Sequence, residues 1–127
     1  MNFSGICPLL QVFDMPTALG FYVGILEFKV FEQTPDWAWL KRGETELMLN
    51  TAYESHERPP APDPARHAAH ADTILFFGCP DPDSLYTQLT AKGLQLDPPT
   101  TAPYGMRQLS VSDPDGYALC FQWPVSN

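Results

Sequence analysis

Positive charge is scarce in this chain of 127 residues: seven Lys and Arg stand against fifteen Asp and Glu, for a formal net charge of −8. The few cations form no run, and nothing in the sequence is built to neutralise a phosphate backbone, which argues against a nucleic-acid partner. The acidic balance would suit a cationic ligand, although solubility alone accounts for it. No apolar stretch approaches the roughly 20 residues of a spanning helix, so no membrane partner is expected. Met1-Asn2-Phe3-Ser4-Gly5 has neither the charged region nor the apolar region of a secretory leader. Cysteine is also sparse. Cys7, Cys79 and Cys120 are too few and too far apart for a disulfide framework, and reduced thiols in a cytoplasmic protein are the expectation. Gly-rich phosphate loops, nucleophile elbows and paired Cys-x-x-Cys motifs are all missing.

Aromatic residues, by contrast, are plentiful: eight Phe, five Tyr and three Trp can both build a core and line a cavity. The length suits one domain, or two small modules sharing a core. Gly5 to Phe13 reads as a strand, irregular at Pro8. Asp14 is a natural N-cap with Pro16 in the first turn, and Met15, Leu19, Tyr22, Val23 and Leu26 recur at helical spacing. Strands follow from Phe28, over Trp37 to Lys41, and over Thr45 to Asn50. From Thr51 to Ala71 the pattern fails, and this polar, Pro-rich stretch reads as a loop. Asp72 to Cys79 then forms a strand and Asp81 caps a helix that ends at Gly93. Leu94 to Leu96 reads as a short strand before the break at Asp97-Pro98-Pro99. Met106 to Val111 and Tyr117 to Trp123 form a hairpin about the turn Asp113-Pro114-Asp115-Gly116.

The order repeats. The offset that carries Pro16 onto Pro82 also carries Leu19 onto Leu85, Val23 onto Leu89, Phe28 onto Leu94 and Val30 onto Leu96. The last strands match after a change of loop length. A duplicated β-α-β-β-β unit is the simplest account, with modules over about residues 4–52 and 72–124 joined by a connector at 53–71.

These features together resemble the vicinal oxygen chelate superfamily of glyoxalases, bleomycin-resistance proteins and extradiol dioxygenases. Pro8-Leu9-Leu10-Gln11-Val12-Phe13-Asp14, with Ala18-Leu19-Gly20-Phe21-Tyr22 and Leu26-Glu27-Phe28, is similar to the opening strand and helix of that family. Leu47-Met48-Leu49-Asn50 resembles the end of its first module. Tyr104-Gly105-Met106-Arg107 and the Asp-Pro-Asp-Gly-Tyr turn resemble its closing hairpin. The resemblance implies an α+β fold of two tandem modules whose curved mixed sheets form a cavity. It also implies a homodimer. In metal-dependent members, four side chains from the first and last strands of the modules hold a divalent ion that polarises substrate oxygens.

Carried onto this chain, those four positions fall on Cys7, on Glu46 (or Met48, two residues along), on Ile74 and on Cys120. Only Glu46 is a usual ligand, and Ile74 cannot ligate. Cys7 and Cys120 read either as thiolate ligands for a soft ion or as small apolar wall residues. A site of Glu46, His70 and Asp72 is a further alternative. The expectation is therefore no cofactor, with a divalent metal through an atypical ligand set as the other reading. Without a metal, the cavity face would carry Cys7, Leu9, Gln11, Glu46, Met48, Asn50, Ile74, Phe76, Cys120 and Gln122. Trp37 or Trp39 would join them according to strand parity. Tyr53 and the connector suggest a lid. Arg107 would meet an acidic ligand, or else pair with Asp113 or Asp115. Three functions follow: a small-molecule binding protein without the usual metal; a metal-dependent lyase, isomerase or dioxygenase; or an interaction module with a filled cavity.

Overall fold

The computed structural model describes residues 1–126. Its contacts divide the chain into two compact units, one ending at Pro62 and the other starting at Asp63. In the first unit β1 spans Leu9–Val12, shorter than the sequence pattern predicts. Pro8 has no N–H to offer a ladder, and only its carbonyl takes part, accepting from the Met48 amide at 2.8 Å. Asp14 caps the next element as its spacing predicts, with Oδ2 accepting from the Thr17 amide at 3.0 Å and the Thr17 hydroxyl at 2.6 Å. The helix it starts is not uniform. α1 covers Met15–Leu19, and the chain then widens into a π-helix over Gly20–Ile25, closed by the Leu26 amide on the Phe21 carbonyl. Phe21 and Tyr22, adjacent in sequence, are both buried there, and the Tyr22 ring meets Phe28 edge-on at 6.1 Å. An unbroken α-helix would turn those two neighbours about 100° apart.

β2 (Lys29–Gln33), β3 (Trp37–Arg42) and β4 (Thr45–Thr51) complete a four-stranded sheet in the order β1-β4-β3-β2. β1 runs parallel to β4 and the other pairs are antiparallel. Leu10, Val12, Ala38, Leu40, Leu47 and Leu49 all face the helical side and are buried. Each of the larger ones contributes about 1.5–3 kcal/mol relative to exposure.

The second unit departs from the sequence reading in two places. The connector is not all loop. α2 (Pro64–Ala69) starts at Asp63, whose Oδ1 accepts from the Ala65 amide, and continues as a 3₁₀ turn over His70–Asp72. Leu94 to Leu96 is not a strand either. Gly93 and Leu94 donate to the Thr90 and Leu89 carbonyls, ending α3 (Pro82–Ala91) in a Schellman motif that uses the Leu94 amide. The short strand lies further on, as β6 (Thr100–Thr101), past the two prolines. With β5 (Ile74–Gly78), β7 (Met106–Ser112) and β8 (Ala118–Pro124) it makes a sheet in the order β5-β8-β7-β6. β5 is parallel to β8, so the topology of the first unit recurs element for element. Leu109, Val111, Leu119 and Phe121 face α3, and Phe77 stacks on Phe121 at 4.7 Å.

The β7–β8 turn is the most constrained part of this unit. The Asp113 Oδ1 accepts from the Asp115 and Tyr117 amides, both at 2.9 Å, while Gly116 donates to the Asp113 carbonyl. Both aspartates are buried. His70 lies flat on Tyr117, with ring centroids 4.0 Å apart, and its Nδ1 is 2.6 Å from the Asp115 carbonyl oxygen. Gly116 adopts φ 88° beneath the His67 carbonyl, leaving no room for a Cβ.

Candidate functional site: the open sheet faces

Strand pairing decides which side chains share a face. In the first unit Leu9 pairs with Met48 and Gln11 with Asn50, while Trp37 pairs with Asn50, Trp39 with Met48 and Lys41 with Glu46. All of these point away from the buried leucines. Trp37 and Trp39 therefore both stand on the open face, two residues apart on one strand. At its centre the Trp39 indole Nε1 donates to Glu46 Oε1 at 2.9 Å. The Lys41 ammonium lies 3.9 Å from the same oxygen. It also sits 4.0 Å from the Phe31 ring centroid and 4.7 Å from that of Trp39. Phe31 is the extra residue of a β-bulge between Val30 and Glu32, and its ring packs edge-on against Trp39 at 4.5 Å.

Glu46 thus already serves a donor and a cation. Burial holds the Cys7 thiol above its ordinary pKa; the Glu46 charge pushes the same way, and Lys41 opposes it. That disfavours the thiolate, the nucleophilic form of the side chain.

In the second unit Ile74 pairs with Ala118, Phe76 with Cys120 and Gly78 with Gln122. Across the strand Ser110 pairs with Cys120 and Gln108 with Gln122. Ile74 and Phe76 are 52% and 56% exposed, large apolar side chains on an uncovered face. Cys120 between Phe76 and Ser110 is buried, and that burial raises its pKa. Gln108 Nε2 donates to Gln122 Oε1 and to the Tyr104 hydroxyl, each at 2.9 Å, fixing two amides at the rim.

Arg107 is a correction. It pairs with Trp123 in the ladder and points to the α3 side, where Nε and Nη2 grip both oxygens of Asp83 at 3.0 and 2.8 Å. The pairing raises the Arg107 pKa and lowers that of Asp83. The partners suggested by sequence were Asp113 and Asp115; Asp113 Oδ1 instead accepts from the Asp115 and Tyr117 amides within the turn. Tyr53 packs edge-on to Phe13, and Arg58 bonds Asp14 at 2.9 Å. This start of the connector is pinned beside α1 instead of hanging free as a lid.

Among the described residues no three His, Cys, Asp or Glu come together in a group able to hold an ion. Ile74 offers no donor, and His70 is stacked on Tyr117 and bound to a carbonyl. The donor set of the described residues does not fit the family's ion. Phe31, Lys41 and Gln108 were missed by sequence reasoning. Period-two extension from Trp39 would have found Lys41, but a bulge leaves no mark in a single sequence.

Residues 7–121 match the model of the Glyoxalase/Bleomycin resistance protein/Dioxygenase superfamily. A comparison with curated proteins finds no match. Among solved structures, the chain is similar to the bleomycin-binding protein of bleomycin-producing Streptomyces verticillus, solved with copper(II)-bleomycin. Identity is 24% and the TM-score 0.72, over 95% of this chain and 96% of that one. TnmS3, an antibiotic binding protein from a Streptomyces species, is 25% identical with a TM-score of 0.74, over 98% and 99%. The bleomycin resistance determinant encoded on transposon Tn5 is 20% identical with a TM-score of 0.76, over 98% and 100%. With the family model covering nearly the whole chain and the duplicated sheet topology in place, this protein belongs to the glyoxalase/bleomycin resistance protein/dioxygenase superfamily.

Proposed function

We propose that this protein binds a small, partly aromatic organic molecule on its open sheet faces, without the family's metal, as a cytoplasmic homodimer. The observation that carries the reading is the Phe31–Trp39–Lys41–Glu46 cluster. Aromatic rings stand there locked by an indole hydrogen bond and a cation, on a face that in a protein with no ligand would be expected to be polar. Ring faces held in place lose little entropy on stacking, so a planar ligand gains most of the contact energy. Two relatives of the same fold are described as bleomycin-binding and antibiotic-binding proteins, which supports a binding role. Exposed Ile74 and Phe76 support a second copy as the cover that a homodimer supplies.

The test is a thermal-shift screen with metal-free bleomycin, copper(II)-bleomycin and planar aromatic antibiotics. A ligand at about 100 times its Kd adds about 2.7 kcal/mol, a rise of several degrees for a chain of this size. A flat response across the panel would overturn the binding role. Metal analysis of the purified protein gives the complementary check: a stoichiometric divalent ion that is lost in Glu46→Ala would establish the metal-dependent alternative. Sedimentation velocity reads the dimer directly.

A further inference from the structure

Of the seven Lys and Arg in the chain, three line one cleft of about 420 Å³ at the end of the β2–β3 hairpin: Lys29, Lys41 and Arg42, beside Glu27 and Phe31. Such crowding of cations in a protein of net charge −8 needs a reason. Lys29 and Lys41 are direct partners across the antiparallel ladder, which roots two cationic side chains on one face. Lys41 is compensated by Glu46 and by two rings. Lys29 is exposed and, among the described residues, enters no ion pair.

Arg42 is aimed by the backbone. Its Nη1 donates to the Leu26 carbonyl at 2.7 Å, which closes the end of the π-helix and leaves four guanidinium N–H groups for other acceptors. The next residue, Glu27, lines the same cleft and holds φ 60°, a left-handed conformation costing a non-glycine residue about 1–2 kcal/mol. Backbone strain of this kind collects at ligand sites, where the surroundings over-determine it. Phe31 is 55% exposed beside these cations.

We propose that this cleft takes a carboxylate-bearing aromatic molecule, with its ring on the exposed side of Phe31 and its carboxylate between Lys29 and Arg42. A planar carboxylate matches the guanidinium fork, and it offsets the charge of Lys29, which enters no ion pair among the described residues. The inference deepens the binding role proposed above and rests on it. It reverses the expectation drawn from net charge. Acids more than about 8 Å away are screened at physiological salt, so the charges of the cleft itself, three cations against Glu27 and the nearby Glu46, set the potential that a ligand meets.

The experiment is a ¹H–¹⁵N NMR titration with three matched probes: 2-naphthoate, 2-naphthalenemethanol and 2-naphthylmethylammonium. Naphthoate is expected to shift the amides of Lys29, Phe31, Lys41 and Gly43 and to bind about three- to fivefold more tightly than the alcohol, the range of an exposed charge contact. Lys29→Gln should abolish most of that preference, as should salt raised to about 0.5 M. Phe31→Ala should weaken all three probes alike. Equal or tighter binding of the alcohol or the ammonium would overturn the carboxylate assignment while leaving the small-molecule role standing. Naphthoate shifts confined to other residues, or none at millimolar probe, would overturn the cleft as the site; the broader binding role falls only on the drug screen.

Discussion

Replacing Gly116 with alanine perturbs two things at once, and a second glycine separates them. Gly116 holds φ 88°, and a Cβ built on it would collide with the His67 carbonyl, which is backbone and cannot swing aside. Gly105 holds φ 89° in the same unit with nothing near its missing Cβ. Gly105→Ala therefore carries only the left-handed penalty of about 1–2 kcal/mol. Gly116→Ala carries that and the cost of forcing α2 off the turn, about 1–3 kcal/mol by comparison with overpacked cores. Lifting α2 would also break the His70 stack on Tyr117 and its bond to Asp115. The expected totals are about 1–2 kcal/mol for Gly105→Ala and 2–5 kcal/mol for Gly116→Ala. Urea unfolding measures both, and the His70 ring resonances report whether the stack is lost. Equal destabilisation of the two variants, or an unmoved His70 spectrum in Gly116→Ala, would refute the close packing of α2 on the turn.

Two further outcomes are expected. Asp14 is held below its ordinary carboxyl pKa of 3.8, first by the Thr17 hydroxyl and then by the Thr17 amide and Arg58. A depressed folded pKa gives stability that is present above about 4 and lost as pH falls through the folded value. Asp14→Asn, which keeps a capping oxygen, should therefore lower stability at neutral pH and flatten the acid limb of a pH–stability curve measured by denaturant unfolding. An acid limb as steep as that of the parent protein would contradict it. Arg107→Gln should leave ligand affinity unchanged in any binding assay and barely move the thermal unfolding midpoint, since its ion pair with Asp83 is on the surface. A loss of affinity would return Arg107 to the binding face.

The duplicated architecture was legible because it is carried by short-range signals that survive without a partner. Asp14 and Asp81 cap helices with proline in the first turn, and the Asp113–Gly116 turn defines a hairpin. Period two assigned Leu47 and Leu49 to one face and Glu46 and Met48 to the other. The errors fall where backbone hydrogen bonds are competed for. Leu94 gave its amide to a helix cap and not to a ladder, and a polar, Pro-rich connector still formed a helix because Asp63 could cap it. The partner of Arg107 was also out of reach, since Asp83 lies 24 residues away and is brought close only by α3 packing.

By itself, then, the sequence determined the repeat, the strand faces and the kind of turn that closes the second unit. Each depends on residue type and spacing within a few positions, where sterics and capping chemistry act locally. Tertiary structure alone decided that a bulge lays Phe31 against Trp39 and that Glu46 is already engaged. It also decided that Lys29, Lys41 and Arg42 share one cleft in an acidic chain. Those outcomes depend on strand register and on helix ends meeting strands, and register is set by the packing of the whole sheet.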